Sequence, residues 1–343
     1  KGISKRKALE ISQTFSNIKK MQQAVMFLQK YEISTNMAVK IFDTYKERTE
    51  SILTKNPYKL IEDVEGIGFK TADKIAFNMG IEKDSQFRLR AGILFCLGEL
   101  ADKQGSTVIE REKLTESAVG VLELPEEYKS EIESQITTLE IEGLIKSTTL
   151  GDQEAVAISK LYSMEKYIAD KLKLLLQSSE EVHLDLDADI DEFERVNNIL
   201  LHSGQRKAIK TAIEQGVVII TGGPGTGKTT IIKAILKILT ARGKQVQLLA
   251  PTGRASKRME EQTGKSASTI HRGLEMGYTN GKLGFTRNEN NPLDADAIIV
   301  DEVSMIDLYV ASALLKATRL GTKLVFVGDK DQLMSVGAGN VLA

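Results

Sequence analysis

Little in this 343-residue chain offers covalent or metal chemistry. It holds one cysteine, Cys96, so no disulfide can close within it, and a cytosolic compartment is the simplest expectation. Of its three histidines, neither His183, in an acidic stretch, nor His202 has a metal-ligand partner at suitable spacing. No run of about 18 apolar residues occurs, which excludes a transmembrane helix and a secretory signal. Five prolines against 27 glycines exclude a collagen-like chain, and a composition 41% apolar and 27% charged excludes a disordered or coiled-coil one. What is left is a globular protein of roughly two domains.

Net charge is also nearly absent, at -1, but only as a total. Lys and Arg number 17 against 12 Asp and Glu over residues 1–100, 10 against 23 over 101–200, and 19 against 12 over 201–343. The sequence therefore reads +5, -13, +7. Two basic ends suit an anionic partner, although solvated faces of mixed charge would give the same count. The chain opens on Lys1 and stops at 339–343 inside a continuing pattern, as a piece of a longer protein would.

The first hundred residues repeat internally. The segments beginning Gly2-Ile3-Ser4, Glu32-Ile33-Ser34 and Gly66-Ile67-Gly68 align without gaps and share Ile, Ala and Ile at the same three places, 30 and then 34 residues apart. Each predicts a tight turn followed by a helix with Ala and Ile on one face. Residues 89–160 then alternate amphipathic helices with two short strands, as a winged-helix-like module would. Residues 161–200 read as a helix and an acidic linker. Eight carboxylates fall between 178 and 194 without a positive charge, and no calcium-loop spacing fits them, which predicts a solvated arm.

After residue 200 four short β-branched runs, 217–221, 246–250, 297–300 and 323–327, alternate with helical segments. That pattern predicts a parallel sheet covered by helices, with ligands beyond the carboxyl ends of its strands. The first run ends in Gly222-Gly223-Pro224-Gly225-Thr226-Gly227-Lys228-Thr229, a Walker A pattern between strand and helix. Gly223 through Gly227 would turn backbone amides toward phosphate, Lys228 would reach the β and γ phosphates, Thr229 would ligate Mg²⁺, and Thr230 follows in the same turn. The third run ends in Asp301-Glu302, a Walker B pair in which Asp301 serves the metal and Glu302 the attacking water. At the fourth, Gly328-Asp329-Lys330-Asp331-Gln332 sets an amide beside the phosphate loop. ATP and Mg²⁺ are the expected ligands.

Six motifs in order make residues 201–343 resemble the first motor domain of a superfamily 1 helicase of the RecD family, the 5′-to-3′ branch called superfamily 1B. They are Gly204-Gln205, the phosphate loop, Ala250-Pro251-Thr252-Gly253-Arg254-Ala255, Thr269-Ile270-His271-Arg272, Val300-Asp301-Glu302-Val303-Ser304-Met305, and Gly328 to Gln332 followed by Ser335-Val336-Gly337-Ala338-Gly339. Met334 departs from an expected Pro.

The resemblance implies an α/β P-loop NTPase with a RecA-like parallel sheet, preceded by a mainly α helix-hairpin-helix region over 1–88 and the winged-helix-like module. It implies that Gln205 reads adenine, that Pro251, Thr252, Gly253, Arg254, Thr269, His271 and Arg272 contact single-stranded DNA, and that Gln332 couples γ-phosphate to movement. A second motor domain bringing arginines to the γ-phosphate is implied outside this chain.

Upstream, Asn56-Pro57-Tyr58 and the stretch from Gly66 resemble the helix-hairpin-helix region of stand-alone bacterial RecD-like proteins. There Gly66, Gly68 and Lys70 would meet a DNA phosphate without reading sequence, and a purely structural or docking role stands beside that reading. Within the motor, Asn280-Gly281 between strand-like segments predicts a hairpin at about 275–292. Relatives carry a pin against the duplex fork at that place, and a plain surface excursion is the other reading. The implied function is an ATP-dependent 5′-to-3′ DNA helicase or translocase of repair or recombination. Its substrates would be single-stranded DNA and duplex with a 5′ overhang, its partners other repair proteins, and no membrane. The competing class is a nucleotide-switched DNA-binding scaffold.

Overall fold

The computed structural model describes residues 4–178, 185–279, 282–332, 335 and 337–342. The chain divides into two units, Lys1–Glu99 with Ile109–Val156, and Leu100–Val108 with Ala157–Ala343. His183, Asn280, Gly281, Met334 and Val336, on which parts of the sequence reading fall, lie outside the described residues.

To residue 158 the elements are α1 (Lys5–Gln29), α2 (Thr35–Tyr45), α3 (Thr49–Lys55), α4 (Leu60–Asp63), α5 (Phe69–Asn78), α6 (Gln86–Gln104), β1 (Ile109–Glu110), α7 (Arg111–Leu122), α8 (Lys129–Ile141), β2 (Ile145–Leu150) and β3 (Gln153–Ile158). The second and third repeat copies are built alike. Glu32 and Gly66 hold matching places with φ of 61° and 89°. Ile33 and Ile67 are buried behind these turns, and the Ala38 and Ala72 amides bond the Ser34 and Gly68 carbonyls at 2.8 and 3.1 Å. Ala38, Ile41, Ala72 and Ile75 are buried. The left-handed backbone is costly for Glu32 and free for Gly66. The first copy differs, since Ile11 is exposed on α1 beside Phe15 and Ile18, so it shares the helix but not the packing.

Buried Arg88 ties three helices of this unit together. It bonds Asp73 at 2.9 and 3.2 Å and the carbonyls of Lys83 and Leu122 at 2.9 Å each. The Tyr58 hydroxyl donates to the same Asp73 at 2.6 Å, and its pKa is raised by burial first and by that carboxylate second. The strands form a small sheet of order β1-β3-β2.

In the second unit follow α9 (Ser159–Gln177), α10 (Leu186–Asn197), α11 (Ser203–Glu214), β4 (Val217–Thr221), α12 (Lys228–Ala241), β5 (Val246–Ala250), α13 (Gly253–Thr263), β6 (Ala267–Thr269), α14 (Ile270–Gly273), β7 (Met276–Thr279), β8 (Lys282–Phe285), β9 (Ala297–Val300), α15 (Leu308–Ala317) and β10 (Lys323–Gly328). Five strands pair in parallel in the order β4-β10-β9-β5-β6. The four apolar runs are four of these strands. The fifth, β6, is three half-buried residues too short to show as a run.

Because side chains alternate across a strand, Ala297, Ile299, Val325 and Val327 enter one core with α10, α11 and α12, while Ile298, Val300, Leu324 and Phe326 enter the opposite core with α9 and α15. Covered faces explain why the strands read as continuous apolar runs.

The acidic linker expected within 161–200 is corrected here over 185–197. Asp185 caps α10 by accepting from the Asp187 amide at 3.3 Å, and Leu186, Ile190 and Phe193 of that helix are buried in the α11–α12 core. The carboxylates occupy the remaining positions, where the apolar residues between them were outnumbered in composition. Phe193→Ala is therefore expected to cost about 3–5 kcal/mol of stability, measured by chemical denaturation, whereas a solvated arm would lose almost nothing.

Candidate active site

The carboxyl ends of β4, β9 and β10 lie on one edge, since Gly328 pairs with Thr221 and Phe326 with Val300. The Gly222 amide bonds the Gly328 carbonyl at 3.3 Å, joining the start of the phosphate loop to the fourth strand. The loop turns through Gly225 and Gly227, at φ of 77° and 84°, conformations that suit glycine. A Cβ on Gly222 would lie 2.7 Å from Thr226 Oγ1, and one on Gly227 would collide with the Gln205 amide. Thr226 Oγ1 donates to the Gly223 carbonyl at 2.9 Å. Lys228, first residue of α12, points its ammonium into the loop, donating to the Gly222 carbonyl and, at 3.0 Å, to that of Gly223. Thr229 and Thr230 complete the first turn, and Pro224 sits exposed at the loop tip.

Gln205 is held at both ends of its amide. Its Oε1 accepts from the His202 amide at 2.9 Å and its Nε2 donates to the Thr226 carbonyl at 3.0 Å. His202 in turn accepts the Gly204 amide on Nδ1 at 3.2 Å, closing a capping box at the start of α11. The histidine that offered no metal partner is thus a helix cap. Its signal was a cap seven positions ahead of the first core residue of α11, Ile209, and a Gln three places on, obscured because His is an unusual cap residue.

Asp301 Oδ1 accepts from the Glu302 amide at 2.9 Å, and Glu302 itself lies in the left-handed region at φ 56°. A non-glycine there costs free energy that a packed site must supply. Burial raises the Asp301 carboxyl above its ordinary value; the Glu302 amide, Lys228 and Arg258 oppose this, while the Glu302 charge adds to it. Arg258 had no part in the sequence reading, and only folding of α13 brings its charge to this strand end. Among the described residues no group of three or more His, Cys, Asp or Glu could hold a metal ion. The donor set of Lys228, Thr229 and Asp301 beside a glycine cradle fits a phosphate with its Mg²⁺, a cation that takes few protein ligands. Gln332 is exposed just past β10, its backbone N–H donating to the Asp329 carbonyl at 3.2 Å.

The two other segments expected to meet nucleic acid are neighbours, since Ala250 pairs with Thr269. Pro251 and Thr252 are half-buried and Gly253 and Arg254 exposed, with Thr252 Oγ1 capping α13 at the Ala255 amide, 3.2 Å. Thr269 Oγ1 caps α14 at the Arg272 amide, 3.1 Å, leaving Arg272 exposed. His271 packs on Phe285 of β8, ring centroids 5.7 Å apart, so the second segment touches the hairpin β7–β8. Register sets Met276 opposite Phe285 and Tyr278 opposite Leu283, giving one apolar face. At the hairpin base Arg287 bonds Glu275 at 2.9 and 2.7 Å and the Pro292 carbonyl at 3.1 Å. Gly66, Gly68 and Lys70 belong to the other unit, where all three are exposed and a Cβ on either glycine would meet nothing within 4 Å.

Two family models match the chain, an ATP-dependent RecD2 DNA helicase HHH domain over residues 17–108 and an AAA domain over 205–338. The chain is 31% identical over 320 residues to the ATP-dependent RecD2 DNA helicase of Deinococcus radiodurans, an alignment covering 91% of this chain and 44% of that protein. It is 41% identical over 162 residues to the RecBCD enzyme subunit RecD of Mycolicibacterium smegmatis, covering 40% and 29%, and 35% identical over 209 to that of Haemophilus influenzae, covering 53% and 31%. The chain thus spans less than half the length of these relatives. No helix among the described residues is long and apolar enough to cross a membrane.

The raised pKa of Asp301 carries a sign. Stability owed to this carboxyl is full below its unfolded pKa and is lost as pH rises through the folded one. Asp301→Asn, neutral at every pH, is expected to raise the melting temperature near neutral pH without nucleotide, with the gain shrinking as pH falls.

Proposed function

We infer that this chain belongs to the RecD-like helicases and that the protein it comes from is an ATP-dependent DNA helicase. We propose further that it moves 5′ to 3′ on single-stranded DNA and opens duplexes with a 5′ overhang in repair or recombination. The observation that carries the reading is the common edge of one sheet, which has the phosphate loop and acidic pair at β4, β9 and β10 and the two DNA segments at β5 and β6.

Lys228 and the loop amides hold the β and γ phosphates, and Gln205 contacts the adenine. Glu302 accepts a proton from the water that attacks the γ-phosphate, from a left-handed backbone position at the end of β9. Thr229 and Asp301 would hold Mg²⁺, which when bound offsets the charge on the phosphate oxygens. Gln332, on the loop after β10, is set to register loss of the γ-phosphate. Pro251, Thr252, Gly253, Arg254, Thr269, His271 and Arg272 grip one strand, and the hairpin that His271 touches splits the duplex. Residues 1–88 act as tandem helix-hairpin-helix repeats, with Gly66, Gly68 and Lys70 on a phosphate, ahead of a winged-helix-like module at 89–160.

In the full-length protein Lys228→Ala is expected to abolish nucleotide binding, and Glu302→Gln to keep binding while turnover falls about 10²- to 10⁴-fold. Normal hydrolysis by Glu302→Gln would overturn the assignment of the base. Tyr278 is 75% exposed and Leu283 55% on the apolar hairpin face. Replacing both by Ala is expected to lower unwinding of a 5′-tailed duplex on the order of tenfold, the scale of one lost stacking contact, and to spare DNA-stimulated ATPase. Equal unwinding of 3′-tailed duplexes would contradict the polarity, and nucleotide-dependent binding without unwinding would leave a switched scaffold.

A further inference from the structure

The acidic helix α10 carries none of the residues assigned to nucleotide or DNA. Its carboxylates converge on Arg206, the neighbour of Gln205. Arg206 donates to Glu194 at 2.7 Å, to Asp191 at 2.6 Å and to Asp187 at 3.2 Å. Isolated surface ion pairs contribute little, but this is a network of three acids on one guanidinium, and Glu194 is mostly buried, with its side chain 12% exposed. The second oxygen of Glu194 accepts the Leu201 amide at 2.7 Å. One side chain therefore fixes both the short link from α10 to α11 and the first turn of α11, on which Gln205 stands.

How Gln205 is held decides what it can read. A glutamine amide has two N–H donors and two lone pairs on its oxygen. The Thr226 carbonyl takes one donor and the His202 amide takes one lone pair. One donor and one lone pair are left, which match the N7 acceptor and N6 amino donor of adenine. Guanine offers two acceptors there, O6 and N7, so its O6 would face the glutamine oxygen with no proton between them. A Gln205 freed from Thr226 could turn its amide away from that clash and would lose the bias.

We propose that α10 is a clamp that makes this site select adenine over guanine, with Glu194 and Arg206 as positioning residues that hold Gln205 against the phosphate loop. The proposal rests on Gln205 being the base contact.

Equilibrium binding of ATPγS and GTPγS to the full-length protein, with Mg²⁺ and without DNA, tests it. The wild type should favour ATPγS, and Gln205→Ala should lower the affinity ratio about tenfold, within the range for a lost bidentate base contact. Glu194→Gln and Arg206→Gln should each lower the ratio several-fold, chiefly by improving GTPγS binding, and neither should lower it further in the Gln205→Ala background.

Asp189→Asn is the control, because Asp189 joins the same helix to Arg242 at the far end of α12 and does not reach Arg206. It should leave the ratio unchanged. If Glu194→Gln and Arg206→Gln keep the wild-type ratio while Gln205→Ala loses it, the clamp is wrong and the base contact stands. An unchanged ratio in Gln205→Ala would remove the base contact and the clamp with it. A loss in Asp189→Asn equal to that in Glu194→Gln would mean that docking of α10 as a whole, and not the Glu194–Arg206 link, sets the choice, which also overturns the proposal.

Discussion

Parallel pairing is the constraint on which the second unit depends. Strands that run the same way end on the same edge, and a register of Gly328 beside Thr221 and Phe326 beside Val300 fixes which residues meet there. A slip by one residue would turn every apolar side chain to the wrong core, and with Ile298 and Ile299 each buried in opposite cores such a slip is heavily penalised. The phosphate loop, the half-buried Asp301 and the loop after β10 are thus placed by packing far below them. The strained Glu302 backbone is tolerated for the same reason, since β9 and α15 are buried on both sides of it.

The same edge continues to β5 and β6, whose ends carry short caps at Thr252 and Thr269 instead of acidic or glycine-rich loops. Those caps satisfy helix starts internally and leave Arg254 and Arg272 exposed. The hairpin β7–β8 leaves this edge from a braced base. Arg287 joins Glu275 to the Pro292 carbonyl, and the Tyr167 hydroxyl of α9 donates to Glu289 at 2.8 Å. The hairpin needs such a base, because a two-stranded ribbon alone is barely stable in water.

Strands buried on both faces were readable because burial removes alternation and leaves β-branched runs, and the loops followed from where those runs end. The hairpin was readable from Asn280-Gly281, and its two strands flank those residues. Three things were not. The edge strand β6 is too short and too exposed to make a run. Helix α10 hid its buried Leu186, Ile190 and Phe193 among carboxylates whose partners, Arg206, Lys210 and Arg242, lie 12 or more residues away in sequence. The first repeat shared its pattern with the other two and not their burial, since the spacing of Ile and Ala states a helical face and cannot state what covers it.

The nucleotide pocket proposed above joins α11, the phosphate loop and the end of β9. Amide hydrogen exchange of the full-length protein with and without Mg²⁺ and ATPγS tests that most directly. Slowed exchange should fall together on 203–206, on 222–230 and at 301–302. Protection of 222–230 without any at 203–206 and 301–302 would contradict it.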